Sequence, residues 1–316
     1  MEKRHPRYIR YQWVLFIVSW SPLARKEFHD HIQSKGLWLL SGFLILASYL
    51  SIGGPSYVVA ALESNTTLAA FQGPVSIFAT FGAVLLSHRS VVSERESGSM
   101  KFVSGMPVRR HDILLGKVIG QTAVLCVPLL LTFLIVGGLG TLQYGLFSLS
   151  KFALFVAVSV VYLLLNVCVG VSISAAVTTS IQAATAAFSY YLVFILGWVD
   201  FVVYQIYTPL TGIQVNPLNP PASESLFLLH RLAPAGAYNV LTNWILSTGN
   251  SASWIVGVLA DLQPNTQSNA LVAELAFSRS DTLFVLHEEL ALLVFAGWIL
   301  VPFSVGYYRF RKADLA

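Results

Sequence analysis

The chain has 316 residues, a formal net charge of +4, 55% hydrophobic residues and only 11% charged ones. A soluble globule carries about 25% charged residues to meet water, so this composition excludes an ordinary soluble domain. The mild basic excess follows a membrane pattern, which argues against nucleic acid as a partner.

Taken in order, residues 1–35 form a basic segment with Lys3, Arg4, Arg7 and Arg10. The apolar run at 13–18 is short and no small-residue cleavage site follows, so no cleaved signal peptide is expected. Residues 8–20 mix aromatic and basic side chains and suit the headgroup region. A spanning helix needs about 20 apolar residues. Spans are predicted at 37–53, 68–87 and 118–142. Residues 152–199 carry no charge; as one helix they would measure roughly 72 Å, too long for a hydrocarbon core of about 30 Å. The polar break Thr178-Thr179-Ser180 divides them into a fourth span at 152–177 and a fifth at 181–203. The last span is 290–308, within a sixth unit at 284–308, before a tail at 309–316. The expected fold is an all-α integral membrane protein with six transmembrane helices and both termini cytoplasmic. Its first five spans fall within 36–207, its main cytoplasmic loop at 88–117, and a large helical extracytoplasmic segment at 208–283.

The charges fit this orientation. Of the 19 Lys and Arg, all but Lys151, Arg231 and Arg279 fall on the cytoplasmic side, as the positive-inside rule requires. Without the turn at Thr178, Arg309, Arg311 and Lys312 would lie outside. The first outer loop contains Asn65-Thr66-Thr67, a glycosylation acceptor pattern. The segment at 208–283 is rich in Pro, Asn and Ser, too long for a bare connector, and holds amphipathic helix candidates at 223–232 and 237–246.

The loop after the second span is the most informative stretch. Glu94, Arg95 and Glu96 carry that helix out of lipid into water as solvated end charges. Ser97-Gly98 breaks it, and Ser99 is placed to cap a short new helix. Met100, Phe102 and Val103 give that helix an apolar contact surface, Gly105 suits its end and Pro107 forbids continuation. Arg109, Arg110 and Lys117 then sit at the inner headgroups. Such a hairpin, held between two rigid spans, is built to be pushed by a soluble partner.

This loop resembles that of the ABC type-2 permeases, the membrane subunits of ATP-driven exporters. Glu94-Arg95-Glu96, Gly98, Pro107-Val108, Arg110 and Gly116-Lys117 match the family pattern. Ser99 replaces its usual Thr, and Ser104-Gly105 stands where apolar residues are common. Arg25, Lys26, Glu27 and Phe28 resemble the family's amphipathic interfacial helix before the first span, and the six spans and the tail Phe310-Arg311-Lys312 fit as well. The six-span branch that includes the copper-enzyme-maturation permease looks similar.

The resemblance implies a homodimer or heterodimer of permeases that binds a separate ABC ATP-binding subunit. ATP and Mg enter only through that partner. The chain has no phosphate-binding loop, because Gly116-Lys117 is followed by Val118, and no intrinsic ATP hydrolysis, bound cofactor or metal is expected. An alternative is a non-transporting anchor that couples an ATPase to an extracytoplasmic partner. An intramembrane enzyme would need convergent acidic and His residues at membrane depth, and a secondary transporter internal repeats; neither pattern is evident. His29 and His31, two apart, lie on different helix faces. Cys126 and Cys168 read as packing residues. Gln72 and Asn166 read as interhelical hydrogen-bonding groups, Asp200, Glu288 and Glu289 as water-facing charges at the outer boundary, and Gly42, Gly137, Gly138, Gly140 and Gly170 as sites of close helix packing.

Overall fold

The computed structural model describes residues 20–99, 109–216, 219–264, 270–277 and 284–312. The described residues are helical throughout, apart from turns and one isolated bridge between Asn216 and Asn219. Five helices are long and apolar enough to cross a membrane, and a bent pair makes a sixth.

A short helix α1 (Ser21–Ile32) precedes the first span, α2 (Lys35–Ile52). The Ser34 hydroxyl accepts from the amide of Leu37 and starts α2, as an N-cap does. Trp38, Leu39, Phe43 and Leu50 of α2 are exposed, as befits a face turned to lipid. The chain turns through α3 (Ser56–Leu62) into α4 (Thr66–Pro74), a π-helical turn (Val75–Ala79) and α5 (Thr80–Ser87). Pro74 lacks an amide hydrogen, and the wide turn after it leaves carbonyls that lipid cannot satisfy. The hydroxyls of Tyr162 and Tyr191 donate to the carbonyls of Ser76 and Ile77 there. A break at residues 88–91 precedes α6 (Val92–Glu96).

The third span, α7 (Arg110–Tyr144), begins earlier than expected, so Lys117 lies inside it. α8 (Leu149–Ala176) is the fourth. The turn at Thr178 is present. Thr179 caps α9 (Ser180–Tyr190) by accepting from the amide of Gln182, and the Gln182 side chain accepts from the Thr178 amide and hydroxyl. This reciprocal cap is why the uncharged block folds as two helices.

The structure adds to three expectations at the end of the bundle opposite Glu94. First, the fifth span is not straight: it bends by 70° at Gly197 before α10 (Val203–Thr211). Two π-helical turns flank the bend, and Trp198 donates to the carbonyl of Leu229 and fixes it. Second, the long segment after it, expected to be large and helical, packs into the bundle. It forms α11 (Glu224–Arg231), α12 (Pro234–Leu246), α13 (Ile255–Asp261) and the short α14 (Ala273–Ala276). α11 is amphipathic as expected; α12 is not, being buried on nearly every side. It sinks among the spans: Tyr238 stacks on Tyr162 at 4.4 Å and shares a hydrogen bond with Ser159, about 15 Å along α8 from its first residue. Asn side chains bind the backbone of this segment. Asn239 donates to the Ala252 carbonyl, Asn243 to those of Ser251 and Ser253, and buried Arg231 to the Leu286 carbonyl and the Asn250 side chain. Third, Asn65-Thr66-Thr67 is a packing element. The Asn65 side-chain oxygen accepts from the Ser148 amide, and Thr67 is fully buried against Gly140.

The last span, α15 (Ala291–Lys312), packs mainly on α8 and α12. Gly140 and Gly170 do permit close approach, to Thr67 and Ser87, but Gly42 and Gly138 face open space. Contacts missed from sequence include those of Gly82, Gly116, Gly120, Gly236 and Gly306.

Candidate functional site

The site grows from a close contact between α1 and α7. A Cβ on Gly116 would come within 2.6 Å of the Leu23 Cβ, and one on Gly120 within 2.6 Å of the Ala24 carbonyl oxygen. Glycines one turn apart thus let the two backbones nearly touch. That approach sets Glu27 of α1 against Lys117 and Gln121 of α7. The Lys117 ammonium lies 2.8 Å from Glu27 and 2.7 Å from Glu94 of α6, and Gln121 donates to the second Glu27 oxygen at 3.0 Å. The Lys117 side chain is 5% exposed, Glu27 10% and Glu94 20%. Lys117 is therefore no headgroup lysine, and Glu94 no freely solvated charge. Burial opposes the charge on Glu27, but the Lys117 charge and the bonds from Lys117 and Gln121 outweigh it and hold the carboxyl below its ordinary value of 4.5. Arg25 and Lys26 point outward, while Phe28 packs partly into the core.

The three consecutive charges of α6 reach three different places. Glu94 takes Lys117. Arg95 donates through both terminal nitrogens, to the carbonyls of Val177 at 2.9 Å and Ala175 at 2.8 Å. Those carbonyls end α8, where helix acceptors have no partner of their own and the dipole is negative. Glu96 accepts from the Ser180 amide at 2.7 Å and from the Ser180 hydroxyl; that residue begins α9, where free donors and the positive dipole end favour a carboxylate. Ser174 of α8 accepts from the amides of Val91 and Val92 and anchors the start of α6. Gly98, at φ +73°, ends the turn, and the Ser99 hydroxyl donates back to the Glu94 carbonyl. Arg110 binds the end of α15, donating to the carbonyls of Phe310 and Arg311.

The structure thus gathers Glu27, Glu94, Arg95, Glu96, Arg110 and Lys117 at one end of the bundle. Met100, Phe102, Val103 and Pro107 lie outside the described residues. Gln72 and Asn166 form a separate pair of contacts. Asn166 accepts from the Tyr190 hydroxyl at 2.7 Å, joining α8 to α9. Gln72 reaches not another span but the inserted segment: it donates to Thr242 and Asn243 and accepts from the Ile255 amide. Sequence reasoning missed Gln121 and Ser174, and placed Ser180 in a turn and Phe310 in the tail without their contacts to the motif. The Gly116-x-x-x-Gly120 spacing was the signal for a helix pressed on α7.

A multi-pass helical bundle with a charged motif knitting the ends of its helices defines an integral membrane protein. Residues 21–315 match the ABC-2 family transporter proteins, and the chain belongs to that family. As a member it is a multi-pass protein of the cell membrane. It is 32% identical over 128 residues to a probable ABC transporter permease protein NosY of Pseudomonas aeruginosa, covering 37% of this chain and 43% of that protein. It is 30% identical over 123 residues to a protein of the same description from Stutzerimonas stutzeri, covering 35% and 41%. The chain thus spans about two fifths of the length of the curated relatives it matches.

Proposed function

We propose that this chain is the permease subunit of an ATP-driven exporter. It pairs with a second permease, identical or related, and a separate ATP-binding subunit supplies ATP, Mg and hydrolysis. The observation that supports this reading is the reach of Glu94-Arg95-Glu96. One turn of helix beside the hairpin holds α7 and α1, the end of α8 and the start of α9 by charge-assisted bonds, which are shorter and stronger than neutral ones. A soluble motor that displaces the hairpin therefore displaces several spans together. The motor must bind one arrangement of these helices more tightly than the other, since equal affinity would shift nothing.

In this reading the motif end faces the cytoplasm and the segment after the fifth span lies at the outer side. There α12, held by Gln72 and by the Tyr162–Tyr238 stack, closes the path between cycles. The test is Phe102→Asp in the hairpin. The variant should still insert but lose co-purification of the ATPase, and unaltered binding would count against docking there. ATP-dependent flux into inverted vesicles separates an exporter from a non-transporting anchor, which would bind the ATPase and move nothing.

A further inference from the structure

We propose that Phe310 is the positioning residue through which the Glu94-Arg95-Glu96 motif drives the segment inserted at the opposite end, with α8 and α15 serving as one lever. The inference rests on the permease reading and deepens it by naming the route from motor to outer helices.

At the motif end, one guanidinium touches both helices. Arg95 donates to the last carbonyls of α8 while its charge lies 5.4 Å from the centroid of the Phe310 ring. Arg110 also lies over that ring, at 5.9 Å, and binds the carbonyls that end α15. Phe310 is fully buried, although Arg309 and Arg311 on either side are exposed. An aromatic ring near the end of a mostly lipid-facing helix is thus taken up wholly by the site. Its π face attracts cations, and most strongly where water is excluded.

Farther along, the two helices are fastened to each other. A Cβ on Gly306 would lie 2.8 Å from the Ser172 Cα, so the backbones are in contact, and the Cys168 thiol donates to the Ile299 carbonyl. Beyond that point both helices grip the inserted segment. Tyr162 of α8 stacks on Tyr238 of α12 and on Phe295 of α15, and Trp298 of α15 donates to the Leu232 carbonyl at 2.7 Å. Close-packed helices shift as bodies rather than deform continuously. A displacement of Arg95 therefore reaches Tyr238 and Leu232 through the α8–α15 pair, provided that Phe310 keeps α15 tied to the motif.

The test uses the full chain with its co-purifying ATPase in nanodiscs, in a background with Cys126 replaced by alanine and the buried Cys168 left in place. A cysteine replaces Trp244, the exposed position on α12, and its maleimide labelling rate is compared without nucleotide and with Mg-ATP and vanadate. The parent should show a nucleotide-dependent change in rate. Phe310→Leu, which fills the volume without a π face, should weaken that change while the ATPase still co-purifies, and Phe310→Tyr should retain it in full. A full response in Phe310→Leu overturns the inference. A parent that binds the ATPase yet shows no response also overturns it, leaving the permease reading intact. A parent that binds no ATPase overturns both.

Discussion

Lys117 of α7 and Glu27 of α1 meet at 2.8 Å with both side chains almost wholly buried, and Glu94 closes on the same ammonium from the other side. A buried pair of this kind adds little net stability relative to apolar residues, but removing one partner strands a charge. Lys117→Met should therefore destabilise the protein by about 3–5 kcal/mol. Adding Glu27→Gln should recover part of that loss. Thermal unfolding in detergent of the two single variants and the double variant gives the coupling. Equal, additive losses would show that the pair does not act as a unit.

Acid should loosen α1 for the same reason. The Glu27 carboxyl is held below its ordinary value of 4.5 in the folded protein, so the unfolded chain binds the proton first. The stabilisation is complete above that value and is lost as pH falls through the lower, folded one. Unfolding followed across this window should show α1 detaching on acidification, and Glu27→Gln should flatten the profile. A profile of equal slope in the variant would assign the acid sensitivity elsewhere.

Much of the span pattern was legible because lipid imposes it: the uncharged runs and the forced turn at Thr178 each follow from the cost of polar groups in hydrocarbon. The motif was legible as a place, and its partners were not. Glu94, Arg95 and Glu96 read as solvated because a helix end in water needs no partner. Their true contacts, Lys117, the Ala175 and Val177 carbonyls and Ser180, are distant in sequence and come together only when the spans pack. Burial of α12 was hidden for a related reason. Its Asn and Thr residues read as the polar side of an amphipathic helix, yet Asn239, Thr242 and Asn243 turn their side chains to backbone and to Gln72, which makes a polar sequence fit to be buried.

The Gln72 contacts give a second mutational test. Its amide is 1% exposed and bonded on both sides. Gln72→Leu keeps the volume but strands the Asn243 oxygen and the Ile255 amide, each worth about 1–3 kcal/mol when buried without a partner. Hydrogen exchange over 234–264 should quicken in the variant while exchange in α1 and α7 stays as in the parent. Unchanged protection of α12 would show that its place is held by the Tyr162–Tyr238 stack instead.

His230 offers a switch at milder pH. It is 2% exposed in α11, both its ring nitrogens lack a hydrogen-bond partner among the described residues, and Tyr204 lies edge-on at 5.7 Å. Burial, and then the charge of Arg231, push its pKa from 6.5 down to about 4. The unfolded segment thus takes up a proton that the folded one refuses. Stability is complete above 6.5, falls as pH drops from there to about 4 and is level below. By pH 5 the loss amounts to about 2 kcal/mol. Exchange in α11 and α12, corrected for the intrinsic rate, should be faster at pH 5 than at pH 7. His230→Leu should abolish that difference without exposing Arg231, whose bonds to Leu286 and Asn250 do not involve the imidazole. A pH dependence that survives the substitution would place the titrating group outside α11.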